Sequence, residues 1–229
     1  MTPEITFRDL GQMKYDQAWD FQENLLQEVI KTHSIADQTH GGYFLLVEHP
    51  HVFTLGNSGK EANLLVNEDF LRSKGAEFYK INRGGDITYH GPGQIVGYPV
   101  IHLNSFHIGI REYVHRLEEV IIRTLRYYGI EASRLDGAAG VWLDASEKSK
   151  SRKICAMGVR VSRGVTMHGF AFNINTDLSF YNLINPCGFT DRGVTSLSKE
   201  LGKEIDLQEV KNHLQTSFTE VFECELITD

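Results

Sequence analysis

The feature of the sequence that most constrains its fold is a pair of β-type runs joined by two residues. The runs lie within Lys153 to Ile174 and meet at Arg163-Gly164. A two-residue connection between such runs is typical of a β-hairpin, although Asn-Gly or Asp-Gly would be a stronger turn signal. The sequence therefore predicts an antiparallel pair in which Ser162 faces Val165.

This register predicts a block of small residues on one face of the sheet. Counting outward from the turn puts Gly158 opposite Gly169 and Ala156 opposite Ala171. Because side chains alternate along a strand, all four positions share one face and leave a shallow trough. Either a ligand chain lies there against the backbone or a helix packs closely on it, and the spacing favours neither.

Periodic apolar patterns outside the hairpin predict three helices and four more strands. The helices are predicted from Tyr15 to Val29, from Ile110 to Tyr128 with a stop at Gly129, and from the cap Asp206 to Val221. The strands are predicted at Tyr43 to Glu48, Glu77 to Ile81, Ile95 to His102 and Gly140 to Leu143. Strands that cluster between helices without strict β-α-β alternation indicate an α+β domain around a mixed sheet.

Composition narrows the class of protein. The 229 residues contain no Pro/Ser-rich linker and no repeat, and their net charge of −7 disfavours a general nucleic-acid binder. Three cysteines, Cys155, Cys187 and Cys224, do not suggest a disulfide framework and favour a reducing, cytoplasmic setting. The apolar stretches are far shorter than the roughly 20 residues of a membrane span, and no secretory signal is visible.

The most unusual segment runs from Arg83 to Gln94, with the sequence RGGDITYHGPGQ. Gly84-Gly85 permits a close backbone approach, and exposed amides there would cradle an anion or a carbonyl group. Arg83 can hold an anion with two hydrogen bonds, and His90 is the titratable group. The alternative is a turn-rich structural loop. Neither a P-loop nor a dinucleotide fingerprint is present.

Two further residues are candidates for chemistry. Cys187 lies in Ile184-Asn-Pro-Cys-Gly-Phe189, a turn that favours an accessible thiol, whereas Cys155 lies in an apolar strand and is expected to be a buried small hydrophobe. Lys153 begins that strand, where partial desolvation is expected. Strict alternation puts Lys153 on the face opposite Ala156, unless the start of the strand breaks the alternation.

Taken together, these segments resemble the lipoyl(octanoyl) transferases, which share a catalytic fold with biotin and lipoate protein ligases. The resemblance runs from about Tyr15 to Thr195 and rests on four segments: Arg83 to Gln94, Lys153 to Gly158, His168 to Ala171 and Asn185 to Gly188. It implies one catalytic domain over residues 1–229, with a ligase-like core over about 40–222. In that fold a mixed, mostly antiparallel sheet is flanked by helices.

The resemblance also implies an activity, its partners and its site. An octanoyl group would pass from the phosphopantetheine of acyl carrier protein to a lysine of lipoyl domains, those of 2-oxoacid dehydrogenases and the glycine cleavage H protein. Cys187 would carry the acyl thioester and Lys153 would tune it, without a cofactor or metal. The substrate would be lined by Arg83, Gly84, Gly85, Asp86, Ile87, Thr88, Tyr89, His90, Ala156, Met157, Gly158, Gly169, Phe170 and Ala171. Asp86 and Met157 depart from the family pattern, and backbone amides, Thr88 and His168 remain alternative oxyanion donors.

Three other functions compete with this one. An ATP-dependent lipoate or biotin protein ligase of the same fold would need no cysteine. A cysteine hydrolase would pair Cys187 with a histidine such as His168. A non-catalytic module that binds lipoyl domains or acyl carrier protein would not need Lys153 and Cys187.

Overall fold

The computed structural model describes residues 2–34, 40–185 and 192–228. Its helices are α1 Tyr15–Ser34, α2 Glu68–Ser73, α3 Ile110–Arg126, α4 Leu197–Leu201 and α5 Leu207–Phe222. Its strands are β1 Glu4–Gln12, β2 His40–Glu48, β3 Val52–Leu55, β4 Glu77–Lys80, β5 Ile87–His90, β6 Gln94–Ile101, β7 Ser133–Leu135, β8 Ala138–Leu143, β9 Arg152–Ser162, β10 Val165–Asn173, β11 Gly193–Val194 and β12 Glu225–Thr228. None of the described helices is both long and apolar enough to cross a membrane.

Most of the described strands form one large mixed sheet. Its order is β12-β1-β2-β6-β10-β9-β8-β7, and β11 pairs with β9 outside this path. Neighbours from β2 to β7 are antiparallel, whereas β1 is parallel to both β2 and β12. A second sheet, β4-β3-β5, is smaller. The predicted mixed, mostly antiparallel sheet flanked by helices is confirmed.

The hairpin at the centre of the large sheet has the predicted register. Ser162 pairs with Val165, and the pairing continues in step to Phe172, which is opposite Cys155. Arg163 and Gly164 both have positive φ, at 50° and 82°. Two such residues form a type I′ turn, whose twist matches that of the flanking strands. The turn therefore fixes the register on which the trough depends.

Helices cover both faces of the large sheet, which is why the central part of β2 is apolar on both faces. In β2, Phe44 and Leu46 pack against α3 and α5, while the alternate residues Tyr43, Leu45 and Val47 pack against α1. Because neither face of such a strand is exposed to solvent, its sequence does not alternate between apolar and polar residues. The run from Tyr43 to Val47 thus follows from the layered arrangement.

Several predicted boundaries shift, and some elements were not predicted. The helix predicted to reach Tyr128 ends at Arg126, followed by Gly129 with φ of 69°. Residues 87–90 of the glycine-rich segment form β5, which pairs with β3, so that part of the segment is not a loop. Asp206 caps α5 by accepting a hydrogen bond from the amide of Gln208.

Candidate active site

A cavity of about 320 Å³ lies on the small-residue face of the hairpin. Thirteen residues predicted to form the site line it: Arg83, Gly85, Asp86, Ile87, Thr88, His90, Lys153, Ala156, Met157, Gly158, Gly169, Phe170 and Ala171. The glycine-rich segment forms one wall, and the hairpin forms the floor. The hairpin and the glycine-rich segment, far apart in the sequence, therefore meet at one cavity.

The four small residues of the trough, Ala156, Gly158, Gly169 and Ala171, all line the cavity, whereas neighbouring residues of the hairpin pack with α1. Near the turn, Val165 and Met167 pack in the cluster that contains Ala18 of α1. Farther from the turn, Gly158 and Gly169 face the cavity, where no side chain of their own fills the space. Gly169 leaves no space for a larger side chain, because a Cβ at this position would overlap the backbone of β6.

Two residues predicted for the site do not line the cavity. Tyr89 is fully buried in the small sheet, where its ring stacks on Phe180 and its hydroxyl group contacts His51 Nδ1 at 2.7 Å. Alternation along β5 explains this, because Thr88 and His90 face the cavity. Gly84 instead connects the glycine-rich segment to the hairpin, because its amide donates a hydrogen bond to the carbonyl oxygen of Val159.

One end of the cavity is surrounded by buried histidines that are held neutral. Burial lowers the pKa of His49 to about 4 and that of His168 to about 3. Burial, together with the neighbouring His49, also holds the pKa of His90 well below its ordinary value. Arg83 lies among them, 7% exposed, and donates to both oxygens of Thr54. This region is called the histidine end.

His168 has an unusual backbone and a defined ring orientation. Its φ of 58° is strained for a side chain with a Cβ, and its amide leaves the strand ladder to donate to Gln22 Oε1. Its Nε2 lies 3.0 Å from Asn82 Oδ1, and the Asn82 amide nitrogen lies 3.5 Å from a carboxylate oxygen of Glu23. An amide oxygen accepts, so Nε2 carries the hydrogen and Nδ1 is an acceptor. This tautomer disfavours His168 as an oxyanion donor.

Lys153 lies at the other end of the cavity because of a β-bulge. In β9 the partner of Trp142 is Lys153, where an unbroken register would place Ile154. Ile154 and Cys155 both pack in the core on the opposite face of the sheet, which the extra residue of a bulge permits. Lys153 thereby shares the cavity face with Ala156. The bulge breaks the alternation that would have put them on opposite faces.

The Lys153 side chain is half-buried, as predicted, and its ammonium group has two described contacts. Its Nζ donates to the carbonyl oxygen of Ala139 at 3.2 Å and lies 4.7 Å from the centre of the Trp142 ring. A cation over an indole face is stabilised electrostatically. The guanidinium group of Arg192 lies near the same ring, at 5.7 Å. We call this cluster of Lys153, Trp142 and Arg192 the lysine end.

The three cysteines differ in what can be described. Cys155 is fully buried, which confirms the prediction of a buried small hydrophobe, and burial raises the pKa of its thiol well above the ordinary value. Burial also raises the pKa of Cys224, to about 12. Cys187 lies outside the described residues. On the described flanks, the amide of Asn185 donates to the carbonyl of Asn63, and Arg192 lines the cavity.

Sequence reasoning missed several lining residues. Tyr15 and Tyr98 come from the first helix and from β6, and Trp142 and Arg192 flank Lys153. The Asp136-Gly137 pair between two short strands was a usable signal for the β7–β8 hairpin at the lysine end. Among residues 2–34, 40–185 and 192–228, no cluster of three or more His, Cys, Asp or Glu could hold a metal ion.

Comparisons with known proteins agree with this geometry. The family model described as "Lipoyl protein ligase A/B catalytic domain" matches residues 14–219. An octanoyltransferase of Christiangramia forsetii is 52% identical over 233 residues, 99% of each chain, and one of Parabacteroides distasonis is 51% identical over 94% of this chain and 97% of its own. A bipartite lipoate protein ligase of Thermoplasma acidophilum has a TM-score of 0.73 at 16% identity, over 99% of this chain and 87% of its own. This last likeness confirms the predicted ligase-like fold.

Proposed function

The chain belongs to the family of the lipoyl protein ligase A/B catalytic domain, and from that membership we propose that it transfers an octanoyl group to a lysine of lipoyl domains. The observation that carries the proposal is a cavity with an apolar, small-residue floor and a held lysine at one end. The near-full-length match to octanoyltransferases favours this acyl group over biotin. The proposed setting is the cytoplasm, and the proposed catalytic domain spans residues 1–229.

The proposed donor is octanoyl-acyl carrier protein, and the proposed nucleophile is Cys187. Its thiolate attacks the thioester carbonyl carbon, a new C–S bond forms, and the C–S bond to phosphopantetheine breaks. The departing thiolate takes a proton and leaves as the free thiol. Exchange of one thioester for another is nearly balanced, so little free energy is lost on loading. Splitting the transfer into two steps is the general logic of covalent catalysis.

In the second step, the acceptor lysine attacks the acyl carbon of the enzyme thioester. A C–N bond forms, the C–S bond to Cys187 breaks, and the amine releases one proton as the amide forms. The amide is more stable than the thioester, which drives the sequence forward. The proposed acceptors are the lipoyl domains of 2-oxoacid dehydrogenases and the glycine cleavage H protein.

Lys153 is proposed to donate and accept protons in the two steps. Its ammonium group would stabilise the Cys187 thiolate and donate a proton to the departing phosphopantetheine thiolate, and the neutral amine that remains would accept a proton from the incoming lysine. Support comes from its place at the cavity, where a backbone carbonyl and an indole ring hold the amine.

The octanoyl chain is proposed to lie along the trough, with its carbonyl carbon at the lysine end and its tail towards the histidine end. Lys153 and Val159, the partner of His168, are six positions apart in β9. At about 3.3 Å per residue this separation is roughly 18–20 Å, which leaves room for an extended chain between the ends. Ala156, Gly158 and Gly169 would contact its methylene groups.

The proposal is tested by intact mass spectrometry after the enzyme is mixed with octanoyl-acyl carrier protein in the absence of ATP. We expect one octanoyl group on the wild-type chain and on Cys155→Ser, and none on Cys187→Ser. Adding a lipoyl domain should move the group to that domain without ATP. A requirement for ATP would favour a ligase instead.

Other outcomes would count against the remaining alternatives or the assignment itself. Free octanoate released without an acceptor would indicate a hydrolase. An adduct that persists in Cys187→Ser would show that the nucleophile is another residue. Binding of carrier protein without any adduct would indicate a non-catalytic module.

A further inference from the structure

The backbone that holds Lys153 leaves the regular strand ladder. In the β7–β8 pair, Leu135 is opposite Ala138 and Ser133 is opposite Trp142, so β8 uses more residues than β7 over the same stretch. Irregular pairing of this kind frees backbone groups for other partners. Here the carbonyl group of Ala139 accepts from Lys153 Nζ.

The next amide in β8 is held by a carboxylate from the opposite side of the sheet. Glu118, on α3, is 7% exposed, and its Oε1 accepts from the amide of Gly140 at 2.8 Å. Its Oε2 lies 3.2 Å from Nε of Arg134. A carboxylate bond to a backbone amide is charge-assisted and stronger than a neutral one. Glu118 therefore anchors the same peptide group whose carbonyl oxygen holds the lysine.

Gly140 is required at this point for two reasons. Its φ is 126°, which side chains with a Cβ rarely adopt. A Cβ there would also lie 2.6 Å from the carbonyl oxygen of Cys155 and 3.3 Å from Cε of Lys153. The lysine stem thus lies directly over the glycine whose amide is bonded to Glu118.

We propose that Glu118 is a positioning residue for Lys153 in the transfer reaction. The Gly140 N–H and the Ala139 carbonyl belong to one planar peptide group, so the carboxylate that accepts from the N–H also aims the carbonyl oxygen, and that oxygen holds the ammonium group over the Trp142 ring. Glu118 lies on the helix side of the sheet and acts through the backbone. The inference rests on the proposed function, because it concerns the geometry of the lysine that would tune Cys187.

The chain offers a matched control in the neighbouring residue. Glu119 also bonds to Arg134, at 2.9 Å, and it pairs with Arg123 on the same helix. Removing either carboxylate takes a partner from Arg134. Only the Glu118 carboxylate is bonded to Gly140 in the described structure. Any effect specific to Glu118 is therefore due to the link to β8.

The experiment measures the rate at which Cys187 is alkylated as a function of pH, resolved by peptide mass spectrometry, in wild type, E118A, E118Q, E119A, K153A and E118A/K153A. We expect E119A to match wild type and K153A to raise the apparent pKa of the thiol. E118A should raise it by a smaller amount. E118Q should stay near wild type, because its amide oxygen still accepts from Gly140.

The double mutant and steady-state kinetics complete the test. In the K153A background, E118A should add nothing, because its effect passes through the lysine. In octanoyl transfer, we expect E118A to lower kcat by about tenfold with little change in KM, as for loss of one fixed hydrogen bond at the reacting groups. If E118A does not fold, E118D replaces it, since the shorter carboxylate keeps the charge but loses the reach.

Three results would overturn the inference, and they are distinguishable. If E118A or E118D folds as stably as E119A and keeps the wild-type alkylation profile and kcat, Glu118 does not position Lys153. If K153A itself leaves the profile unchanged, the role proposed for Lys153 is wrong, and the inference is overturned with it. An effect of E118A that persists undiminished in E118A/K153A would also contradict the route through the lysine.

Discussion

The two ends of the cavity differ in the charge of their titratable groups. At the lysine end, the Lys153 cation is kept beside a carbonyl oxygen and an indole face, on a strand distorted by a bulge. At the histidine end, burial holds His49 and His168 neutral. An end whose histidines are neutral and whose Arg83 guanidinium group is hydrogen-bonded to Thr54 suits the tail of an acyl chain, whereas the lysine held at the other end suits proton transfer and a thiolate. Under the proposed orientation of the octanoyl chain, the reacting groups lie at one end of the trough and the tail is bound at the other.

The largest expected effect is at the lysine end. We expect K153A to lower kcat for octanoyl transfer by about 10²–10⁴-fold, the range for loss of a general acid–base. K153R should not restore activity, because a guanidinium group keeps its proton in this pH range. The measurement is transfer to a lipoyl domain, followed by mass. Near-wild-type activity in K153R would mean that only the charge matters.

The second effect is on the floor between the two ends. Ala156→Leu fills the trough, so we expect kcat/KM for octanoyl transfer to fall about 100-fold, as for methylenes that no longer fit an apolar pocket. A butyryl thioester serves as the matched control, since its shorter chain does not reach past the new side chain. Equal losses for both acyl groups would show that Ala156 does not line the acyl path.

The third effect is on stability and comes from the histidine end. An unfolded histidine titrates near 6.5, above the folded pKa values of about 4 for His49 and about 3 for His168. Between pH 6.5 and 4 the unfolded state binds more protons, so stability falls as pH falls. At pH 5 each residue contributes a loss of about 2 kcal/mol relative to pH 8.

A substitution isolates one of these contributions. His168→Asn removes the titrating group, and asparagine tolerates a positive φ better than most residues. Urea unfolding at pH 8 and pH 5 should show a pH-dependent loss about 2 kcal/mol smaller than in wild type. An unchanged difference between the two pH values would indicate that His168 titrates normally in the folded protein.

The smallest effect concerns the cation next to Lys153. Arg152 is bonded to the carboxylates of Glu200, at 2.7 Å, and of Asp144, and it also donates to the carbonyl oxygen of Lys150. We expect Glu200→Gln to lower stability by about 1 kcal/mol and to leave transfer unchanged. A loss of activity comparable to that of K153A would mean that Arg152 also takes part in the chemistry.

The sequence predicts some parts of this site well because local chemistry determines them. The two-residue turn at Arg163-Gly164 fixes the hairpin, and counting from it placed Gly158 opposite Gly169. The same counting fails at Lys153, because the bulge arises from packing: Ile154 and Cys155 both enter the core. The alternation of side chains holds only for regular strands, and no residue near Lys153 indicates that the strand contains a bulge.

The histidine end was the least predictable region. Its members come from the chain after β2, from β5 and from β10, so only the tertiary fold brings His49, His90 and His168 together. Gln22 interrupts the apolar face of α1, and the sequence offers no reason for it. The strained backbone of His168 supplies the reason, because the glutamine satisfies an amide that has left the ladder.

The proposed orientation of the acyl chain in the trough can be measured by photo-crosslinking, which identifies the residues next to the tail of the chain. Wild-type enzyme is loaded from a carrier protein that bears an octanoyl analogue with a photoreactive group at its tail. After irradiation, labelled peptides are identified by mass spectrometry. If the tail lies at the histidine end, the labels will be on residues 83–90 or 168–170. Labels confined to residues 137–142 or 192–194 would place the tail at the lysine end and contradict it.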